Sequence, residues 1–132
     1  HMNRTELREH IFRMLFRVEF HPADEYEEQM TFYIDALAEP SEKDVTYMTE
    51  KTAKIIELIP QIDAQLNDKV SGWSTRRMGL AELSILRLAV YEVEYDEDIP
   101  KGVAINEAVE LAKRYGSEDA PSFVNGVLAK FV

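Results

Sequence analysis

Arg4, Arg8, Phe12 and Phe16 are spaced i, i+4, i+8 and i+12 in a stretch with helical periodicity, so they share one flank of the helix it predicts. Guanidinium forks that grip phosphate, beside aromatic faces on which unstacked bases lie, are what recognition of single-stranded RNA requires. The plainer reading packs the phenyl rings on another helix and leaves the arginines as surface charges. The last helix repeats the pattern more weakly, with Phe123, Gly126 and Lys130 along one edge. A glycine inside a helix costs about 1 kcal/mol relative to Ala, so Gly126 points to close approach of a ligand or to close helix packing. Asn106, Glu110 and Lys113, at i, i+4 and i+7 with Arg114 nearby, line the outer face of the preceding helix. Such a stripe is usually only a solvated face, with Glu110 and Arg114 as a weak i, i+4 pair.

Two charges fall where apolar residues dominate. Glu82 and Arg87 belong to LAELSILRLAVYEV, a segment apolar almost all round its circumference, where an unpaired buried charge is costly. Each must be paired or reach a surface. Glu82, near the helix N-terminus where the dipole favours negative charge, can meet a cation on a partner protein or stay in solvent.

Catalytic patterns are poor. The acidic run EVEYDED at Glu92–Asp98 lacks the Gly turn and terminal Glu of a calcium loop, and a solvated loop explains it. His10 and His21 lack the i, i+4 pairing of a helical metal site, and a surface role fits them better. There is no GxSxG, no phosphate-binding GxxxxGK[ST] loop and no GxGxxG. No enzyme activity, metal or cofactor is expected.

The chain has 132 residues, 45% of them hydrophobic, enough for one domain with a real core. It contains no cysteine, which excludes disulfides and thiolate metal sites. No apolar run approaches the roughly 20 residues of a bilayer span, and no signal-peptide core precedes the first helix, so a cytoplasmic location is expected. His1-Met2 reads as a cloning remnant. The net charge of −10 opposes nucleic-acid binding by the chain as a whole. Nine acidic residues face Lys43 alone between Asp24 and Glu50, whereas Met2–Phe20 holds four Arg against Glu6, Glu9 and Glu19. Any RNA surface is therefore local and helped by a basic partner.

These side chains need helices to hold them. Apolar residues recur at three- and four-residue spacing and strand signals are nearly absent, which predicts an all-α domain of about seven helices. The first covers roughly Arg4–Phe20 and the second Asp24–Ala38, each ending before a proline. Ser41 caps a third over about Glu42–Leu58, and Pro60 begins a shorter fourth reaching Val70. Gly72 and Gly79 bracket a loop carrying Trp73, Arg76 and Arg77. The fifth helix spans about Leu80–Tyr95, Pro100 opens a sixth that Gly116 stops, and the last runs from about Glu118 to the end. The expected arrangement is one domain over residues 2–132. Its two small bundles, about 2–70 and 71–132, share the apolar fifth helix.

The blocks VAINEAVELAK at Val103–Lys113 and FVNGVL at Phe123–Leu128, with ILRLAVYE at Ile85–Glu92 and an N-terminal helix carrying Arg and Leu-Phe, resemble the NusB family across nearly the whole chain. Neither core packing nor helix propensity dictates Asn106, Glu107 or Asn125-Gly126. The resemblance implies an all-α, non-enzymatic bacterial transcription antitermination factor. Such a factor binds boxA RNA with the small-subunit ribosomal protein that serves as NusE and joins RNA polymerase, notably on ribosomal RNA operons. It further implies RNA contacts at Arg4, Arg8, Phe16 and Phe123, with Asp119 near the RNA edge, and partner-protein binding at Glu82. With Phe12, Lys113 and Lys130 from the helix faces and Arg77 beside Glu82, these are the candidate site residues. Asn3, Thr5 and Glu6 dilute the arginine cluster that family members often carry.

Other readings are a helical protein-interaction module with little RNA binding, and an RNA methyltransferase, against which the length argues. A homodimer burying the Arg4–Phe16 flank is also open.

Overall fold

Asn3 starts the first helix with a reciprocal cap. In the computed structural model its side chain accepts from the Glu6 N–H at 2.8 Å, and the Glu6 carboxylate accepts from the Asn3 N–H at 3.4 Å. The structure describes residues 1–70, 75 and 78–132. Among them are α1 (Arg4–Val18), a 3-10 turn (Ala23–Glu25), α2 (Tyr26–Asp35), α3 (Glu42–Lys69), α4 (Leu80–Glu94), α5 (Lys101–Tyr115) and α6 (Ala120–Ala129), with no strand. The protein is all-α, as its periodicity predicts.

The chain divides into two units, His1–Ile56 and Glu57–Val132. In the first, Leu7, Ile11, Met14, Leu15 and Val18 bury the expected stripe of α1. The second predicted helix starts instead as a 3-10 turn and ends early. Ala36 and Leu37 donate to carbonyls only three residues back, and Glu39, before Pro40, takes a positive φ of 42°. The Ser41 hydroxyl accepts from the Asp44 N–H at 3.1 Å, as the capping signal predicts. The Asp44 carboxylate turns elsewhere and accepts from the Met2 N–H at 2.8 Å.

The expected break at Pro60 does not occur. The third and fourth predicted helices are one helix, α3, with Pro60 inside it. Proline lacks the N–H that would reach the Ile56 carbonyl and its ring crowds that turn, at a cost of about 3 kcal/mol. Ile55, Ile62 and Leu66, all fully buried, hold the helix on both sides of that defect. The division between the units falls next to it, after Ile56.

In the second unit, every residue of α4 from Leu83 to Val93 is buried, as its all-round apolar pattern requires. α5 packs on it through Ala104, Ala108, Leu111 and Ala112, and α6 through Ala120, Val124, Val127 and Leu128. Gly116 caps α5 where a Cβ would collide with the Ala120 Cβ and stand 2.9 Å from the Ala112 carbonyl oxygen. Only glycine lets the chain turn so tightly from α5 into α6. Among the described residues, no helix is long and apolar enough to cross a membrane.

Candidate functional site

On α1 the four-residue flank separates by depth. Arg4 is exposed and Phe16 half-buried, but Arg8 and Phe12 are 5% and 3% exposed. These last two offer no surface to RNA, which corrects the expectation for both. The cause is the breadth of the buried arc. Arg8 projects between Leu15 and Phe12 on the helix circumference, whereas Arg4, on nearly the same bearing, lies in the first turn where less covers it. An aromatic ladder instead climbs outward from the core. Phe12 and Phe16 have ring centroids 6.2 Å apart, and Phe16 meets Phe20 edge-on at 5.3 Å. Phe20 is 59% exposed and was missed, although it continues the i, i+4 series from Phe16. The other arginines of α1 are engaged: Arg13 lies 3.8 Å from Glu9, and Arg17 donates to Gln29 at 2.8 Å.

His10 is half-buried rather than on the surface, its Nδ1 2.6 Å from the Tyr33 hydroxyl. Burial, helped by the Arg13 charge, holds its pKa below the ordinary imidazole value, while Glu9 and Glu6 pull it back up.

In the second unit the expected partner residue and two expected RNA residues come together. Glu82, in the first turn of α4, folds back over Gly79, where a Cβ would stand 2.5 Å from its Oε2. Its Oε1 accepts from the Ser117 hydroxyl at 3.3 Å and from the Ser117 N–H at 3.5 Å. A cleft of about 390 Å³ opens beside it, lined by Met78, Glu82, Ser117, Asp119 and Phe123 among others. Two carboxylates beside a phenyl ring repel phosphate. They can accept from base N–H groups or a partner's cation while the ring stacks.

The remaining candidates stand apart from this cleft. Lys113 is exposed and pairs with Glu110 at 3.3 Å, so Glu110 turns to Lys113. Lys130 donates to the Lys69 carbonyl at 3.0 Å and caps the C-terminal end of α3. Gly126 is exposed and nothing lies within 4 Å of where its Cβ would be, so close helix packing does not explain it. Arg77, with Trp73 and Arg76, lies outside the described residues.

Arg87 resolves as structure. It makes a two-pronged ion pair with Asp63. The EVEYDED run is not wholly a loop, because Glu92 is 1% exposed within α4. Among the described residues no three His, Cys, Asp or Glu side chains gather as a metal site.

The all-helical scaffold presents carboxylates and an aromatic ring at one cleft, groups suited to binding. The NusB family model matches residues 5–132, and the chain belongs to the NusB family. It is 51% identical over 130 residues to the transcription antitermination protein NusB of Agathobacter rectalis, covering 98% of this chain and 99% of that protein. The NusB of Lachnoclostridium phytofermentans is 49% identical over 131 residues, with 99% of each covered. Among solved structures, NusB of T. maritima superposes with a TM-score of 0.86 at 33% identity, over 98% of this chain and 90% of that one. A chain from a crystal structure of the antitermination factors NusB and NusE in complex with dsRNA matches with a TM-score of 0.78 at 25% identity, over 97% and 94%. These relatives are named for a role in transcription and not for catalysis.

Proposed function

We propose that this chain is a transcription antitermination factor. It binds boxA RNA together with the ribosomal protein acting as NusE, and the complex joins RNA polymerase in the cytoplasm to complete transcription of ribosomal RNA operons. The observation that carries the reading is the end-to-end match to NusB proteins, one at 51% identity. A relative of the same fold is seen with NusE and RNA together. The cleft holding Glu82, Asp119 and Phe123 supplies a place where base edges or a partner's cation can be bound.

The charges assign the labour. Arg8 is buried, Arg13 and Arg17 are engaged within the first unit, and the chain carries −10 overall. Among the candidate cations of the described residues, Lys113 and Lys130 are likewise engaged and Arg4 stands exposed on α1, so the basic ribosomal protein provides most of the counterion release. Phe16 on α1, Phe20 in the turn just beyond it and Phe123 on α6 provide stacking surface. A homodimer burying the Arg4–Phe16 flank would be the idle form.

A gel shift of boxA RNA with this protein, with the ribosomal protein, and with both tests the reading. Tight, salt-sensitive binding is expected only with both present, weakened about fivefold or more by Phe123→Ala, given the ~1–3 kcal/mol that base stacking contributes. Equal affinity with and without the ribosomal protein would sink the division of labour. No binding by the pair would leave a protein-interaction module.

A further inference from the structure

Within the first unit, α2 and the early turns of α3 leave an open groove of about 610 Å³. Its floor is apolar, lined by Met30 and Ile34 from α2 and by Val45, Ala53 and Ile56 from α3. Glu27, Asp35 and Glu50 stand exposed along it, and no Lys, Arg or His is among the lining residues. α2 is short of burial. Gln29 is its one buried residue, while Tyr26, Met30 and Ile34, spaced i, i+4 and i+8, stay half-buried on the groove side. A helix of ten residues is marginal in water and depends on an apolar face packed against something. Here that face is covered only in part.

We propose that this groove binds a basic amphipathic helix of a partner protein. Aliphatic side chains at i, i+4 and i+7 of the incoming helix would rest on Met30, Ile34 and Ile56, and its flanking lysines or arginines would meet Glu27, Asp35 and Glu50. The groove falls within the roughly 300–1,000 Å³ of ligand clefts, and its openness suits a helix laid along it rather than an enclosed small molecule. Charge chooses the occupant. From Asp24 to Glu50 nine acidic residues face Lys43 alone, a field that attracts a cationic segment and repels RNA, anionic lipid and a second copy of this −10 chain. None of the candidate RNA or NusE-binding residues lines this groove, so the inference stands apart from the proposed function.

The test uses the full chain and a fluorescein-labelled synthetic helix of Leu, Lys and Arg, with Leu at i, i+4, i+7 and i+11. Binding is followed by anisotropy at physiological salt. The control has the same composition with the periodicity scrambled, because so acidic a chain attracts any polycation. The amphipathic peptide is expected to bind at least tenfold more tightly than the scramble, and to lose at least tenfold with Ile34→Asp and with Glu50→Lys. Ala53→Arg, at an exposed position of α3, should do the same and covers the case in which Ile34→Asp fails to fold. Equal binding of the two peptides, or variants that bind within twofold of the parent, overturns the proposal. So does self-association of the chain that Ile34→Asp abolishes, since the groove would then belong to a second copy.

Discussion

Arg87 on α4 grips Asp63 on α3 with both prongs, Nε to Oδ1 at 2.9 Å and Nη2 to Oδ2 at 2.7 Å. The guanidinium side chain is 9% exposed and the carboxylate 21%. A charge on a helix buried from Leu83 to Val93 is tolerated because it has a partner of matching geometry. Breaking such a pair costs more than the pair contributes, because it strands a charge out of water. Arg87→Met should therefore destabilise the fold by about 2–3 kcal/mol, below the full buried-pair penalty because Asp63 keeps some water. Arg87→Met with Asp63→Leu should recover most of that loss. Urea unfolding of the single and double variants measures both, and additive losses would contradict the account.

Arg8 and Arg4 should part company experimentally. Arg8 is buried, so Arg8→Ala is expected to lower stability by ~1–3 kcal/mol through lost packing and stranded partners. Arg4→Ala, at an exposed first-turn position, should leave stability within about 0.5 kcal/mol. It should also weaken boxA binding by the heterodimer and shallow its salt dependence by about one unit. Thermal melts beside a salt titration decide the matter.

His10 makes stability depend on pH. Its pKa is lowered from 6.5 by burial first and by the Arg13 charge second, so the folded protein takes up the proton less readily than the unfolded chain. Its contribution is intact above 6.5 and is lost as pH falls from there through the lowered folded value. Between about pH 7.5 and about pH 5.5, the parent should lose more stability than His10→Gln does. Parallel denaturant curves at the two pH values give the difference, and a variant as sensitive as the parent would remove His10 from the explanation.

Two glycines should respond with opposite signs. Gly126→Ala adds a methyl group to open space in the middle of α6 and should stabilise by about 1 kcal/mol. Gly116→Ala drives a Cβ into Ala120 and the Ala112 carbonyl and should cost ~1–3 kcal/mol. Midpoints of thermal unfolding would report the pair.

Pro60 predicts a gain. Pro60→Ala restores the N–H that can reach the Ile56 carbonyl and relieves ring crowding inside α3, against a looser unfolded chain. The net expectation is roughly 1 kcal/mol of added stability, read from the urea midpoint.

Helical periodicity, with the proline and glycine signals, was enough to identify an all-α protein, the buried stripe of α1, the encased α4, the start of α5 after Pro100 and its stop at Gly116. Each of those signals is local, carried by side chains a turn or two apart. The spacing also placed Phe123 and Phe16 off the core stripes of their helices, and both are half-buried rather than buried. Depth is not local. Whether Arg8 reaches water, whether Phe20 is covered, or whether Pro60 ends a helix depends on what packs against that turn, and a wheel treats every turn alike. The same holds for the cleft. Glu82 and Ser117 are 35 residues apart, and the hydrogen bond between them exists only because α4, α5 and α6 pack on one another. The chain's residue types establish which chemistry is available, and packing selects which of those groups meet and which face solvent. The reason is physical: burial and long-range pairing are properties of assembled surfaces, and periodicity carries only the angle at which each side chain leaves its helix.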